Sequence, residues 1–323
     1  MKKHKEKIVI TGGYGFIGSR FVKWVYENTD FEILVIDKIT YAGDYTRIAD
    51  NIKCDDTRFK FLKKDICDVT TRDVRRAKYI VNFAAESHVD NSISNGRPFM
   101  RSNVEGVFNL LEAVRSVPEL TKFIQISTDE VYGDMKDYRE GNHRANESYP
   151  LKPSSYYSAS KASADMLVMS CARTFGINYV ITRSCNNFGE GQHPEKFLPK
   201  MFSNIENGLP VPIYGDGGQL REWIHTDDNC EIIGELMLSA AKNEVYNIGS
   251  GYHYKNIKVV DYVGKILEKD VEYNHVEDRL GHDREYNLDC GKVEKFLGEK
   301  VFLSLEGFLK DEVNRLKDTA DGR

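Results

Sequence analysis

Near the start of the chain stands Ile8-Val9-Ile10-Thr11-Gly12-Gly13-Tyr14-Gly15-Phe16-Ile17-Gly18, the stretch that decides the fold. Its first residues form an apolar run typical of a buried strand, and a helical pattern follows from Ser19 to about Asn28. The glycines between the two let the chain turn and let backbone amides approach a phosphate group. The pattern therefore predicts a strand, a glycine loop and a helix N-terminus that together hold the pyrophosphate of a dinucleotide.

The second predicted strand, at residues 31–37, ends in Asp37, an acid 19 residues after Gly18. An acid at this place hydrogen-bonds the ribose 2′-hydroxyl and repels a 2′-phosphate, which favours NAD over NADP. A solvated acid at a strand end is the alternative that Asp37 alone leaves open.

Strands and helices alternate through the first half of the chain. Further strands are predicted at residues 59–66, 79–85 and 123–126, and apolar residues fall at helical spacing in residues 103–116. This alternation predicts an α/β fold with a doubly wound parallel sheet of the Rossmann type.

The second half of the chain is less regular. After Asn187 the alternation breaks down, so we expect an NAD-binding domain at residues 1–187 and a smaller C-terminal domain at residues 188–323 that binds mainly the substrate. A strand predicted at residues 245–249 is expected to bring the segment of about 222–250 back to the first domain.

Two adjacent acids stand where the strand at 123–126 should end, in Ser127-Thr128-Asp129-Glu130-Val131-Tyr132-Gly133. Ligands of an open parallel sheet bind beyond the carboxyl ends of its strands. Burying an unpaired carboxylate is costly, so two acids side by side at this place indicate a function. A turn in which these polar residues only cap the next helix is the alternative.

A second decisive stretch is Tyr157-Ser158-Ala159-Ser160-Lys161. Helical spacing places the Tyr157 ring and the Lys161 ammonium on one face, where the cation is expected to lower the pKa of the phenol. Tyr157 would then be a base for a sugar hydroxyl near neutral pH, and Lys161 could also bond the nicotinamide ribose. A lone pair with this spacing is usually a surface pair, but with the glycine loop and Asp37 it predicts an NAD-linked oxidation.

The composition excludes several other classes of function. A net charge of −5 argues against general nucleic-acid binding, which needs a basic face. No apolar run is long enough to span a bilayer, and the basic start lacks the apolar segment of a signal peptide. The six cysteines are scattered without a C-x-x-C pair, as in enzymes with reduced thiols. We therefore expect a cytoplasmic protein with no membrane partner.

These stretches resemble those of the extended short-chain dehydrogenase/reductase superfamily and, more narrowly, of the nucleoside-diphosphate-glucose 4,6-dehydratases of the dTDP-glucose type. The most specific feature is the adjacent Asp-Glu after Ser-Thr, which separates this family from the 4-epimerases and decarboxylases of the same fold. The resemblance runs along nearly the whole chain. Its matching stretches are residues 11–19, 37–43, 84–93, 127–133, 157–161, 183–189, 194–196, 214–217, 221–225 and 278–283.

The resemblance implies an NAD-dependent dehydration that yields a 4-keto-6-deoxy sugar nucleotide and water. Tyr157 would remove the C4 hydroxyl proton while hydride passes from C4 to NAD, with Thr128 holding the C4 oxygen. Glu130 resembles the base that takes the C5 proton, and Asp129 resembles the acid that protonates the departing C6 hydroxyl. The hydride then returns to C6. One of two adjacent carboxyls must be ionised while the other is protonated, as in coupled pairs whose pKa values are split.

The same resemblance implies binding roles residue by residue. The implied cofactor contacts are Gly12, Gly15, Phe16, Ile17, Gly18, Asp37, Lys38, Thr40, Asp65, Ile66, Ala84, Ala85, Glu86, Ser102, Tyr157, Lys161 and Asn187. The implied substrate contacts are Ser87, Thr128, Asn186, Lys196, Phe197, Leu198, Pro212, Tyr214, Arg221, Asn256, Arg279 and His282. Ser102 stands where the family usually has Thr, which keeps the hydroxyl. No metal is expected at His225, Asp227 and Asp228, because the family needs none.

Two other functions stay open at this point. A nucleotide-sugar 4-epimerase needs Tyr157 and NAD but not the Asp-Glu pair, and an NAD-binding sensor without turnover needs little of this machinery. The residues do not decide between a dTDP and a UDP donor. The resemblance further implies a homodimer built on the helices at 103–116 and 157–174, and a role in the supply of deoxysugars such as rhamnose.

Overall fold

The structure, a computed structural model, describes residues 5–49, 52, 57–135 and 144–320. In chain order its strands are β1 (Lys7–Thr11), β2 (Glu32–Asp37), β3 (Phe59–Lys63), β4 (Ala77–Asn82), β5 (Lys122–Thr128), β6 (Tyr179–Ser184), β7 (Asn186–Phe188), β8 (Val211–Tyr214), β9 (Leu220–His225), β10 (Glu244–Ile248), β11 (His253–Lys255) and β12 (Tyr273–Val276). Seven of them form one parallel sheet in the order β10-β6-β5-β4-β1-β2-β3.

Helices cover both faces of this main sheet. The α-helices are α1 (Phe16–Asn28), α2 (Thr46–Ala49), α3 (Thr71–Val74), α4 (Val89–Ser94), α5 (Arg97–Phe99), α6 (Gly106–Val114), α7 (Tyr156–Phe175), α8 (Phe197–Glu206), α9 (Thr226–Leu238), α10 (Asn256–Leu267), α11 (Gly291–Leu297) and α12 (Leu305–Ala320). Phe21 of α1 and Ile233 of α9 are buried in the core of one face, and Leu110 of α6 and Val168 of α7 in the core of the other. The predicted doubly wound parallel sheet is confirmed.

The strand order reverses between β1 and β4, which leaves a crevice at their carboxyl ends. The loop before α1, the turn after β5 and the start of α7 all lie at this edge of the sheet. The residues predicted to carry chemistry are therefore brought to one place by topology alone.

The chain beyond β6 builds a second, smaller unit. Its strands form a three-stranded sheet, β11-β9-β7, and a pair, β12-β8. Apolar residues of α8, α10 and α12 make a separate core under these strands. The chain also returns to the main sheet, because α9 packs on α1 and β10 pairs with β6.

One predicted helix begins differently. Instead of a helix from residue 103, the chain forms a wider π-helical turn at Met100–Glu105 and only then α6. Asn103 lies within this turn, and its side chain bonds the backbone N–H and C=O of Glu86, each at 2.9 Å, and the Ser160 hydroxyl at 2.8 Å. Such turns are frequent at functional sites. Here the turn fixes the segment after β4 against α7.

Among the helices of the described ranges, none combines the length and the apolar character needed to cross a bilayer.

Candidate active site

A cleft of about 410 Å³ lies between the carboxyl edge of the main sheet and the smaller unit. This volume is typical of small-molecule sites. A second pocket adjoins it, and the two share Gly12, Gly15 and Ala85. The site is therefore one elongated groove, with the glycine loop at its middle.

The glycine loop is packed too closely for side chains. Gly12 has a φ of +69°, and a Cβ there would lie 2.5 Å from the backbone nitrogen of Ala84. Gly15 precedes α1 without a side-chain cap, and the first turn of α1 carries no acid. An uncapped helix N-terminus beside glycines is a site for phosphate groups. The loop thus fits the pyrophosphate of a dinucleotide.

Asp37 lies at the rim of the adjoining pocket. Its Oδ2 accepts a hydrogen bond from the Tyr14 amide at 3.0 Å, and its Oδ1 accepts one from the Ile39 amide at 2.8 Å. These bonds fix the carboxylate at the end of β2. An acid held there suits an adenosine ribose with a free 2′-hydroxyl.

Three further candidate cofactor residues surround the ammonium group of a fourth, Lys38. Lys38 Nζ donates to Ser102 Oγ at 3.0 Å and lies 3.6 Å from Asp65 Oδ2 and 3.8 Å from Glu86 Oε1. These groups line the adjoining pocket together with Asp37, Thr40, Ile66, Ala84 and Ala85. This pocket fits the adenosine half of a dinucleotide.

Tyr157 and Lys161 are buried on α7 beside the glycine loop. The helix starts just before them because Ser155 accepts from the Ser158 amide at 3.0 Å and Ser158 Oγ accepts in return from the Ser155 amide at 3.0 Å. This reciprocal capping box fixes the first turn. Lys161 Nζ donates to the Ile126 carbonyl of β5.

The pKa of Tyr157 is raised, which is the opposite of the sequence-based expectation. Burial is the main cause, and the negative charges of Glu130 and Asp129 add to it. Lys161 is directed to the Ile126 carbonyl, and burial lowers the pKa of its own ammonium to about 8. The i, i+4 spacing is present on α7, but helical spacing alone shows neither the burial of Tyr157 nor its closeness to the two acids.

Thr128, Asp129 and Glu130 lie where β5 ends and a turn begins. Thr128 is the last strand residue, and Asp129 opens a 3₁₀ turn, Asp129–Tyr132. Thr128 Oγ1 donates to Asp129 Oδ1 at 3.0 Å and accepts from the Glu130 amide at 3.3 Å. Asp129 is 2% exposed, and its Oδ2 has no hydrogen-bond partner among the described residues. Glu130 lines the cleft.

The two acids differ in their surroundings. Burial, and next the charge of Glu130, raises the pKa of Asp129 to about 8. Burial also raises the pKa of Glu130, but the cations Arg221, Lys196 and Arg279 act against that rise. Asp129 therefore keeps its proton to a higher pH than a solvent-exposed aspartate does, and the three cations favour the ionised form of Glu130.

Cations line the part of the cleft beyond the acids. Arg221 Nη2 donates to the Asp283 carbonyl at 2.7 Å, and its guanidinium lies 4.4 Å from the centre of the Tyr286 ring. Lys196 Nζ donates to the Ser87 carbonyl at 3.1 Å. These carbonyl partners are neutral, so neither contact offsets the positive charge of the side chain, although burial lowers the pKa of Lys196. Such an arrangement suits a diphosphate.

Most of the candidate substrate residues line this cleft. They are Ser87, Thr128, Asn186, Lys196, Phe197, Pro212, Tyr214, Arg221, Asn256, Arg279 and His282. Leu198 differs, since its side chain is 1% exposed and packs in the core of the smaller unit. It is the second residue of α8, and the apolar face of that helix turns it inward. The Leu198 side chain therefore does not line the cleft, unlike the other candidate substrate residues.

Other cleft residues escaped the sequence-based prediction. Tyr286 lines the cleft, and its hydroxyl donates to Asp283 Oδ2 at 2.7 Å. No motif spacing marks it, because its place beneath Arg221 depends on how the smaller unit folds. Asp90 lies in the matching stretch 84–93, but the resemblance implies no contact for it. The structure places it on the cleft wall.

His225, Asp227 and Asp228, where no metal is expected, take part in structural hydrogen bonds. His225 caps α9 by accepting from the Asp227 amide at 3.2 Å. Asp228 accepts from the Leu303 amide at 2.8 Å. Within the described ranges, no group of three His, Cys, Asp or Glu side chains is arranged to hold a metal ion.

Comparison with known proteins gives a consistent result. Residues 8–249 match the model of the NAD dependent epimerase/dehydratase family. The chain is 42% identical to the low-salt glycan biosynthesis protein Agl12 of Haloferax volcanii, over 94% of this chain and 96% of that protein. It is 39% identical to the dTDP-glucose 4,6-dehydratase of Neisseria meningitidis, over 94% of this chain and 90% of that protein.

A solved structure agrees with these relatives. DesIV of Streptomyces venezuelae, a dTDP-glucose 4,6-dehydratase crystallised with NAD bound, superposes with a TM-score of 0.89. The two chains are 38% identical, and the match covers 98% of each.

Proposed function

Since the chain belongs to the NAD-dependent epimerase/dehydratase family, we propose that it is an NAD-dependent dehydratase of a nucleoside-diphosphate-glucose. The substrate is dTDP-glucose, the donor named in its dehydratase relatives. The products are the 4-keto-6-deoxy sugar nucleotide and water.

One observation carries this proposal: the two adjacent acids at the end of β5 have different surroundings. Elimination of water across C5 and C6 needs a base at C5 and an acid at the C6 oxygen at the same time. Glu130 lines the cleft together with Arg221 and Lys196, which favour its ionised form, and the adjacent Asp129 is 2% exposed and has a pKa of about 8. Glu130 as the base and a protonated Asp129 as the acid would meet that need.

The chain's own residues divide the chemistry as follows. The phenolate of Tyr157 accepts the proton of the C4 hydroxyl, and Thr128 bonds the C4 oxygen. Burial raises the pKa of Tyr157, and the positive charge that NAD would bring to the site acts against that rise. The 4-keto group then acidifies the C5 proton, which Glu130 takes, and Asp129 protonates the leaving hydroxyl at C6. When bound, NAD accepts the hydride from C4 and returns it to C6, so that it is not consumed. Glu130 finally returns a proton to C5.

The groove supports a division of the binding roles. Asp37, Lys38, Thr40, Asp65, Ile66 and Ser102 hold the adenosine half of NAD, and Gly12, Gly15, Phe16, Ile17 and Gly18 hold its pyrophosphate. Lys161, Ala85 and Asn187 are assigned to its nicotinamide half, Ala84 and Glu86, which line the adjoining pocket, to the side of its adenosine half, and the cations of the smaller unit to the sugar nucleotide. We accordingly assign cofactor binding to residues 1–187 with the returning segment of about 222–250, and substrate binding mainly to residues 188–323.

A 4-epimerase of the same family is the second candidate. An epimerase also needs Tyr157 and NAD, but it has no step that uses a buried, protonated acid beside a base. The surroundings of Asp129 favour the dehydratase. A sensor without turnover would use neither acid.

The product formed from a nucleotide-sugar donor distinguishes these functions. Purified protein with dTDP-glucose is expected to form a 4-keto product, detected by its base-sensitive absorbance, and to use dTDP-glucose in preference to UDP-glucose in a competition assay. A stable 4-hydroxy epimer would show an epimerase. Binding of NAD with no conversion of either donor would favour the sensor.

Asp129 makes the reaction sensitive to pH. Since its carboxyl holds a proton below its pKa of about 8, we expect water loss to slow as the pH rises through that value. Lys161 also has a pKa of about 8, but loss of its charge would slow C4 oxidation instead. Rapid-mixing spectra recorded about one unit above and below this pKa separate the two. Reduced cofactor that builds up at the higher pH identifies Asp129, and slowing without such a build-up identifies Lys161.

Three finer properties belong to the same proposal. A homodimer is supported by the exposed side chains of Phe108 on α6 and of Met166 and Phe175 on α7, all about half exposed or more. A cytoplasmic location is supported by the free thiols of the described cysteines. A product of this class enters deoxysugar synthesis, of which rhamnose is one outcome.

A further inference from the structure

We propose that Asp90 is a positioning residue for the nucleotide end of the cleft, because its carboxylate holds Arg279 and Tyr214 in the orientation that a nucleoside diphosphate requires. This inference rests on the proposed binding of a nucleoside-diphosphate sugar. It concerns how tightly that ligand is held and leaves the chemical steps unchanged.

The contacts of Asp90 link the two units of the molecule. Asp90 lies on α4, directly after the segment that follows β4. Its Oδ1 is 2.6 Å from Arg279 Nε, and its Oδ2 accepts hydrogen bonds from Arg279 Nη2 at 3.3 Å and from the Tyr214 hydroxyl at 3.2 Å. Tyr214 ends β8, and Arg279 follows β12. One carboxylate thus fixes two side chains from separate segments of the smaller unit.

The arrangement orders the guanidinium in two directions. The Arg279 guanidinium carbon lies 5.1 Å from the centre of the Tyr214 ring, so the ring limits one face of the group. Asp90 contacts its Nε–Nη2 edge. A guanidinium has five N–H donors, so an ion pair along one edge leaves donors for a ligand oxygen. A long arginine side chain held in this way loses less rotamer freedom when it binds an anion.

Arg279 differs in this respect from the other cations of the cleft. Arg221 and Lys196 are held by backbone carbonyls, whereas Arg279 is held by a carboxylate. The charge of Asp90 therefore weakens the attraction of the cleft for a diphosphate by a Coulomb effect. The net effect of Asp90 on affinity therefore depends on whether its ordering of Arg279 outweighs this Coulomb loss.

The ion pair is a poor candidate for stabilising the fold. The side chains of Asp90 and Arg279 are 35% and 20% exposed, so the pair keeps partial access to solvent, and the buried Arg279 Nε makes no hydrogen bond among the described residues. Solvent screening lowers the contribution of such a pair to stability. The ordering of Arg279 and Tyr214 at the cleft is the consequence that binding experiments can detect.

The direction in which one substitution changes the affinity for dTDP tests this inference. Asp90→Asn keeps the shape of the side chain and removes its charge, so Coulomb attraction alone predicts tighter binding of dTDP. Positioning predicts weaker binding, by about tenfold in Kd, because a charge-assisted bond that orders Arg279 is lost. Calorimetry with dTDP on the NAD-loaded protein measures this directly. In turnover of dTDP-glucose, KM should rise by a similar factor while kcat stays within about twofold.

The matched control is Glu277→Gln, an exposed carboxylate two residues before Arg279. It removes one negative charge from the segment that carries Arg279, without touching the Asp90 carboxylate, and is expected to leave Kd unchanged within about twofold. A double-mutant cycle with Arg279→Gln supplies the second readout. If Asp90 acts through Arg279, adding Asp90→Asn to Arg279→Gln causes little further loss of affinity.

Three outcomes overturn the inference. They are tighter or unchanged dTDP binding by Asp90→Asn, a fall in kcat without a rise in Kd, and a full further loss in the double variant. The binding measurement also separates this inference from the proposed function. A protein that binds dTDP in an Asp90-dependent manner but converts no donor would refute the dehydratase alone, and a protein that binds no nucleoside diphosphate would refute both.

Discussion

Replacement of Tyr157 by phenylalanine should lower kcat by about 10³-fold or more, with no reduced cofactor formed in a single turnover. The substitution removes only the phenol oxygen, which is the group assigned to the C4 proton. The ring should keep its place, because it is buried and packs edge-on to Phe99 at a centroid distance of 6.3 Å. Binding of NAD and of dTDP should therefore stay close to that of the unmodified protein.

The neighbouring tyrosine offers a matched control. Tyr156 precedes Tyr157 on α7, but its side chain is 62% exposed. Tyr156→Phe should keep kcat within about twofold, as is usual for a surface substitution. Rapid formation of reduced cofactor by Tyr157→Phe would contradict the assigned role, and the base would then have to be sought elsewhere in the cleft.

Glu130→Gln should separate oxidation from elimination. The variant keeps Tyr157 and Lys161, so C4 oxidation proceeds, but it lacks the base for the C5 proton. Overall turnover should fall by about 10²–10⁴-fold while reduced cofactor accumulates. Absorbance of the reduced cofactor and exchange of the C5 hydrogen with deuterated solvent measure the two steps independently.

Asp129→Asn is the companion of this variant. It leaves Glu130 in place and removes the acid for the C6 oxygen, so C5 exchange should persist while water loss is slow. The two variants thus differ in exchange although both accumulate reduced cofactor. Loss of all reduced cofactor in Glu130→Gln, or C5 exchange at the unmodified rate, would show that Glu130 is not the C5 base.

The features that sequence predicts well are local ones. The glycine loop at 12–18 and Asp37 belong to one strand-loop-helix-strand unit, so their spacing along the chain already determines their spacing in the fold. The alternation of apolar strands and helices predicts the parallel sheet in the same way. Glu130 lies in the turn after β5, and Tyr157 lies in the first turn of α7. Both turns are at the carboxyl edge of the sheet, so the fold brings the two side chains to the same cleft.

The features that sequence does not predict depend on distant parts of the chain. The raised pKa of Tyr157 comes from burial and from acids on another element, so the pair on α7 gives the wrong direction. Asp90 and Arg279 are 189 residues apart and meet only when the smaller unit closes on the main sheet. The inward turn of Leu198 likewise reflects a core that no single segment defines.

The turn at Asp129–Tyr132 has a consequence for how such an enzyme can change its substrate. The acid and the base are consecutive residues of one turn directly after β5, so they stay neighbours whatever nucleotide occupies the groove. The cations proposed to hold the nucleotide come from the smaller unit, and Asp90 of α4 orients one of them. Chemistry and recognition are thus carried largely by different parts of the chain. We expect that exchange of the smaller unit together with residue 90 can alter the donor nucleotide, while the turn after β5 continues to remove water.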